Sequence, residues 1–465
     1  MSTASGLTAS VEKMRSDGVA DAAVETFSRY YELLREGGVG GLSEADLEPI
    51  EDLADAEELP RDEVGASDAL DRAVVLKLNG GLGTSMGLEG PKSMLQIKEG
   101  LSFLDVIVRQ VLDLRRRSGA RLPLVLMNSF ATRDETLAAL ERHPDIAADV
   151  PLDFVQNKVP KLRADDLQPV SWPDDPGLEW APPGHGDLYT AMVASGMLET
   201  LLERGYRHAF VSNSDNLGAV LDPRILAWFA REEIPFLMEV ADRTEADRKG
   251  GHLAIRRGGG LVLREQAQTR DEDIDAFEDV RRHRFFNTNT LWVDLRALAA
   301  RLARGDGFLG LPMIANRKTV DPSDATSPEV IQVETAMGAA IGVFDGARAV
   351  RVPRRRFAPV KTTNDLLAVR SDAYVLTEEA HVELTPERHD VPPIVDLDKR
   401  FYKLVGDFEA RFPSGPPSLV ACDRLSVVGD VVFGRDVVVS GSVSLEHAAE
   451  EQLLLGDGTV LEAAG

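Results

Sequence analysis

The chain has 465 residues, 43% of them hydrophobic, and a formal net charge of −25 at pH 7. That length and apolar content fill cores for about three domains, while the charge excludes general binding to nucleic acid or to anionic membranes. A single cysteine, Cys422, excludes an intrachain disulfide and a cysteine-cluster metal site, and the eight histidines lack zinc-ligand spacing.

Residues 1–67 are acidic and helix-like. Apolar and aromatic residues fall at helical spacing over 24–34, and Gly37-Gly38 ends the pattern. The segment carries no recognisable chemistry and reads as a packing or assembly element. It lacks the apolar region of a signal peptide, and no run in the chain has transmembrane length. A soluble protein of a reducing cytoplasm is expected.

Residues 74–93 read VVLKLNGGLGTSMGLEGPKS. A β-branched apolar run predicts a buried strand, and the glycines after it predict a turn whose amides can wrap a phosphate. Lys92 closes the loop with a mobile positive charge. A Walker A loop is excluded, because Pro91 separates Gly90 from Lys92 and has no N–H to donate. A dinucleotide fingerprint is excluded too: Met86 stands where a third glycine is needed, and the next apolar run ends in Asn128, not an acid. Taken alone, the loop is as compatible with a structural turn as with a phosphate site.

From 68 to 365, strand and helix patterns alternate. Apolar runs at 73–78, 122–127, 209–212, 235–240 and 291–293 predict strands; 103–117, 133–142, 187–203 and 223–232 predict helices. Alternation of this kind predicts an α/β fold, with a mostly parallel sheet covered on both faces and ligands beyond the strands' carboxyl ends. After 366 the pattern changes. Residues 401–412 predict one helix, and from 422 onward short valine runs separated by Gly-Asp, Gly-Arg-Asp or Gly-Ser suggest β-helix-like coils. Three units follow: 1–67 helical, 68–365 catalytic, and 366–465 C-terminal.

The glycine-rich loop resembles the nucleotide signature of the eukaryotic-type UTP–glucose-1-phosphate uridylyltransferases. The resemblance continues in that family's order through NSF (128–130), FVQNKVPKL (154–162), PPGHGDLY (182–189), FVSNSDNLGA (210–219), FNTNTLWV (286–293), ETAMGAAI (334–341) and PVKTTNDLL (359–367). It implies a Rossmann-like nucleotide-diphospho-sugar transferase domain and a C-terminal β-helix-like domain. It also implies a reaction: a phosphate oxygen of glucose 1-phosphate attacks the α-phosphorus of UTP, and pyrophosphate leaves, reversibly and with Mg²⁺. Two polyanions must be held in line while charge grows on phosphoryl oxygens.

Asp215 follows an apolar run, so it falls at a strand's carboxyl end. By pattern alone it caps a turn with Ser214 and Asn216 or binds a metal; the resemblance implies the metal. The catalytic cations are Lys92 and Lys361, which lie in matched motifs. Lys361 precedes a helix start capped by Thr363 or Asn364, and its plain alternative is a basic flank continuous with 354–356. Gln156 and the loop Leu78, Asn79, Gly80 and Gly81 are the uracil candidates, since a side-chain amide matches the uracil edge. Gly184, Asn213 and Ser214 complete the nucleotide side. His185, between two glycines, is placed on the sugar phosphate as a binding group, because a phosphate nucleophile needs no general base. Asn287 and Asn289 are candidates for sugar hydroxyls, paired if strand alternation holds. Glu334 either accepts from those hydroxyls or is a helix N-terminal acid.

One departure stands out. Glu89 places an acid before Gly90, where relatives often carry a base; it either weakens phosphate binding or points to solvent. The alternatives are a same-fold enzyme for another hexose 1-phosphate, or a non-catalytic UDP-sugar-binding protein, against which Lys92, Asp215 and Lys361 are all present. Assembly as a homo-oligomer is open.

Overall fold

The computed structural model describes residues 4–38 and 41–462; residues 1–3, 39–40 and 463–465, parts of the expected helical and C-terminal segments, lie outside the described residues. Two helices, Ala4–Ser16 and Asp21–Arg35, open the chain. Phe27, Tyr30 and Tyr31 of the second helix pack with Val159, Leu162 and Val333, which puts it behind the cleft described below.

The main sheet is built from β1 (Ala73–Asn79), β2 (Leu124–Asn128), β3 (Asp153–Val155), β4 (His208–Asn213), β5 (Phe236–Asp242), β6 (Phe285–Asp294) and, beyond the strand β7 (Glu329–Thr335) of a smaller sheet, β8 (Arg348–Arg351). From one edge the order is Ala54–Asp55, β8, β5, β6, β4, β1, β2, β3. Every neighbour along this path is parallel except β6, which runs antiparallel to both β5 and β4. The register aligns Leu78 with Asn213, and Asn79 with Asn128, so β1, β2 and β4 end at one level.

Side chains of these strands alternate between two cores. Val75 and Leu126 face one core, with helices Phe103–Ser118 and Pro223–Arg231; Val74, Leu76 and Val125 face the other, with Leu188–Ala194 and Leu295–Arg304. Both faces are apolar, which is why the strands read as continuous hydrophobic runs. The first core runs on into the C-terminal region through Val360, Leu366, Tyr402, Phe412, Leu425 and Phe433. There, Ile394–Leu397 pairs with Cys422–Val428, then Val438–Glu446, then Val460–Glu462, all parallel; Val431–Phe433 pairs in parallel with Leu453–Leu455. Among the described residues no helix is long and apolar enough to cross a membrane.

Three local expectations change. The helix expected at 187–203 is two, Leu188–Ala194 and Met197–Glu203, because Gly196 turns left-handed at φ 74°. The helix expected at 401–412 is Lys399–Tyr402 and Val405–Arg411, interrupted by an extended Leu404. The helix after Lys361 is capped by Thr362, in a reciprocal box with Asp365, and not by Thr363 or Asn364. Asn364 instead accepts from the Leu397 backbone at 3.2 Å.

Candidate active site

The glycine loop leaves the carboxyl end of β1 and curls through a 3-10 turn, Thr84–Met86, bounded by Gly83 at φ 64° and Gly87 at φ 73°. A side chain at either position would be strained. The Lys92 N–H closes the loop onto the Gly81 carbonyl at 3.0 Å. A Cβ at Gly80 would lie 3.0 Å from the Gln156 amide, so this glycine lets the loop rest against the expected base-reading side chain. Ser214 joins them, donating its N–H to the Leu78 carbonyl at 3.2 Å. Asn79 turns its side chain away from the loop surface. It is buried, donates to Asn128 at 2.8 Å and Thr136 at 3.0 Å, and its carbonyl accepts from Thr132 at 2.8 Å, so it braces the loop. Glu89 is exposed, the second of its two readings.

Two residues far apart in sequence meet at the loop's end. Lys92 Nζ lies 2.6 Å from Asp215 Oδ2, with both side chains about four-fifths buried. Asp215 Oδ1 is buried and has no hydrogen-bond partner among the described residues. A buried carboxylate oxygen without a donor is costly, so the site suits a further cation or donor there. Among the described residues no three His, Cys, Asp or Glu side chains cluster as metal ligands. A divalent ion would therefore be held by Asp215 together with phosphate oxygens and water, a donor set that suits Mg²⁺.

Lys361 is brought to the same region by its backbone. The Val360 N–H donates to the Asp215 carbonyl at 3.1 Å, and Asn216 bridges to Pro359. The Lys361 side chain is exposed, 6.0 Å from the Phe357 ring centre. Its charge opposes the effect of burial on Glu265, whose carboxyl burial pushes up to about 7. Glu265 was not singled out from sequence; an isolated acid between strand and turn carries no local signal. Gly251 is needed beside it, since a Cβ there would lie 2.6 Å from its carboxyl.

The expected sugar side gathers around β7. Gly184, at φ 78°, and Gly186 lie tight against that strand. Cβ atoms there would lie 2.5 Å from the Thr335 carbonyl and 2.3 Å from its Oγ1, so the glycines let the loop press onto β7. His185 itself is exposed to the cleft and accepts the Met337 N–H on Nδ1 at 3.0 Å. That bond places the neutral ring's proton on Nε2, leaving a donor free for an anion. Behind it, Asp187 is buried and accepts from the Asn157 backbone at 2.6 Å and its amide at 2.9 Å.

Asn287 and Asn289 are linked, though not by simple alternation. The β5–β6 register jumps between Glu239 and Val240, and Asn289 takes φ 56°, a bulge that turns both amides together at 3.0 Å. Gly338 approaches Asn287 closely, so the pair adjoins the segment that holds His185. Glu334 lies one residue before the end of β7 and accepts from Asn316 at 3.2 Å; it lies on a strand, not at a helix N-terminus.

The chain is similar to known proteins along most of its length. A family profile described as UTP–glucose-1-phosphate uridylyltransferase matches residues 24–440. The UTP–glucose-1-phosphate uridylyltransferase of Solanum tuberosum is 42% identical over 415 residues, covering 89% of this chain and 84% of that protein. The Saccharomyces cerevisiae protein of the same name is 41% identical over 394 residues, 84% of this chain and 77% of its own. Among solved structures, a variant UDP-glucose pyrophosphorylase from Leishmania major in complex with UDP-glucose superposes with a TM-score of 0.93 at 44% identity, covering 99% of this chain and 98% of that one.

Proposed function

The chain belongs to the UTP–glucose-1-phosphate uridylyltransferase family and has that enzyme activity, and we infer that its cleft performs the transfer by in-line attack at the UTP α-phosphorus. A phosphate oxygen of glucose 1-phosphate forms the new P–O bond, and the bond from the α-phosphorus to the bridging oxygen of pyrophosphate breaks. The observation that carries this reading is the meeting of Lys92 with Asp215, 2.6 Å apart, at the end of the glycine loop. It sets a cation and a metal-binding carboxylate where a triphosphate would leave the loop.

Each residue then has a task. Gln156 and the Leu78–Gly81 backbone hold uracil, with Gly184, Asn213 and Ser214 along the nucleotide. His185 donates from Nε2 to the sugar phosphate, and Asn287, Asn289 and Glu334 receive the glucose hydroxyls. Lys92 and Lys361 act on the transferred phosphoryl group and stabilise its growing charge. Mg²⁺, when bound at Asp215, neutralises phosphate charge that this acidic protein would otherwise repel. No general base is required, because the nucleophile is already an anion. The test is direct: protein, UTP and Mg²⁺ are mixed with individual sugar 1-phosphates and pyrophosphate is measured. Faster turnover per mole of galactose 1-phosphate or N-acetylglucosamine 1-phosphate than of glucose 1-phosphate would overturn the assignment. The compartment we assign is the cytoplasm.

Base choice should depend on Gln156. Gln156→Ala removes the amide that faces the loop, and one lost hydrogen bond to a polar group costs about 1–3 kcal/mol. The UTP/ATP ratio of kcat/KM should fall roughly 5- to 150-fold accordingly. An unchanged ratio would move the selectivity to another residue.

We read residues 1–67, 68–365 and 366–465 as assembly, catalytic and C-terminal units, and the parallel C-terminal pairings as β-helix-like coils. Deleting 422–465 should harm stability or assembly more than chemistry. Phe412 stacks on Phe433 at 4.8 Å, and Tyr402 donates to the Val431 carbonyl at 2.7 Å, so truncation opens the core beneath them. Light scattering and thermal unfolding should report changed mass or a lower melting temperature. A folded truncation of native mass with no turnover would contradict this.

A further inference from the structure

Beneath Asp215 lies a buried polar network that the proposed reaction does not use directly. Glu239, on β5, is fully buried. Its carboxylate accepts from Arg356 through Nε at 2.8 Å and Nη2 at 2.7 Å, and from Trp292 Nε1 at 3.0 Å. The same Arg356 Nη2 donates to the Val220 carbonyl at 2.8 Å, and the Arg356 carbonyl accepts from Asn216 Nδ2 at 3.1 Å. Asn216 Oδ1 accepts the Ala358 N–H at 3.1 Å. Lys77, also buried, holds the far end of the loop, donating to the Ser212 hydroxyl at 2.7 Å and the Ala219 carbonyl at 2.8 Å. The two backbones approach so closely that a Cβ on Gly218 would lie 2.4 Å from the Arg355 carbonyl.

A buried ion pair is a poor source of net stability, since desolvation offsets its attraction. What this one does is geometric. It fixes a guanidinium that grips the 214–221 loop, which bears Asp215, while its own backbone leads within five residues to Lys361. Asn216 ties the same two segments from the other side.

We propose that Arg356, clamped by Glu239, and Asn216 are positioning residues that set the distance between Asp215 and Lys361 across the transferred phosphoryl group. This rests on the reading of Asp215 and Lys361 given above. Neither residue touches substrate; each acts through the backbone it holds.

The experiment uses the full chain with UTP, glucose 1-phosphate and Mg²⁺. Asn216→Ala removes its two side-chain bonds across the segments and leaves the backbone bond from Val360 to Asp215, and Arg356→Lys keeps the charge against Glu239 but loses the fork that reaches Val220. Each should lower kcat about tenfold or more, as sub-ångström misplacement does, with KM for UTP changing less than about threefold. In a double-mutant cycle, Asn216→Ala placed on Lys361→Met should cost less than about twofold, because the distance it sets no longer matters. Circular dichroism checks folding, and Arg356→Lys carries the test if Asn216→Ala is unfolded. Losses that multiply in the cycle, or a lower melting temperature with kcat unchanged, would make the network merely structural and overturn the proposal. Full activity of Lys361→Met alone would instead remove the reading of the site, and the proposal with it.

Discussion

Asp215→Ala should lose nearly all turnover while remaining folded. The carboxylate is the single acid at the carboxyl end of β4 that meets the glycine loop, and the chain carries a net charge of −25. A triphosphate approaching such a protein needs local positive charge, and a metal held at Asp215 supplies more of it than any lysine. Loss of one transition-state stabiliser in a water-poor site lowers kcat by about two to three orders of magnitude. Folding should survive for a structural reason. Asp215 Oδ1 has no partner to lose among the described residues, and Lys92, relieved of Oδ2, keeps enough exposure for a water to take that place. Asp215→Asn sharpens the test, since it keeps an oxygen for Lys92 but cannot neutralise a divalent ion; it should be nearly as inactive as the alanine variant. Excess chelator should silence the natural enzyme in the same way. Full activity of Asp215→Ala in Mg²⁺, or of the natural enzyme in chelator, would defeat the assignment.

Much of the scaffold was legible because both faces of its sheet are buried. Val74 and Val75 face opposite cores, yet both are apolar, so the run announces a buried strand. The helix breaks were less legible. Gly196 sits in a pattern that helix periodicity alone reads through, and only its left-handed turn divides the segment. At 184 and 186 the local sequence did not reveal that a neighbouring strand, at Thr335, leaves no room for a side chain. Nothing in the local sequence announces that Lys92 will find Asp215, 123 residues away, because the pairing follows from strand order. Lys77 hides for the opposite reason. It interrupts an apolar run as if it were an outward-facing residue, whereas the fold buries it, burial pushes its pKa down to about 7, and the Ser212 hydroxyl and Ala219 carbonyl accept its hydrogen bonds. Glu265 has no motif around it at all.

Lys92→Met should lower kcat by about two orders of magnitude or more, the size typical for loss of one transition-state donor, while KM for UTP rises less. The backbone of Lys92 is fixed, since its N–H closes the loop on Gly81, so the substitution leaves the loop's shape in place. Its ammonium lies 2.6 Å from Asp215, within reach of anything bound there. During attack, negative charge builds on the non-bridging oxygens of the α-phosphate and on the departing pyrophosphate. The loop amides contact phosphate before the reaction as well as during it, so they contribute mainly affinity. A lysine on a flexible stem strengthens its contact as that charge grows, and an interaction that strengthens in the transition state lowers the barrier itself. Methionine keeps the apolar stem and removes only the charge. Asp215 then loses its ion-pair partner, and because the pair is about four-fifths buried the variant should also melt at a lower temperature. The rival role, a ground-state anchor for the triphosphate, predicts the reverse pattern, a raised KM with kcat nearly kept. Lys92→Arg separates charge from shape. The planar guanidinium carries the charge but cannot occupy the same point beside Asp215, so it should recover only part of kcat. Steady-state kinetics of the two variants, with circular dichroism to confirm folding, decides between a residue that binds phosphate and one that helps transfer it.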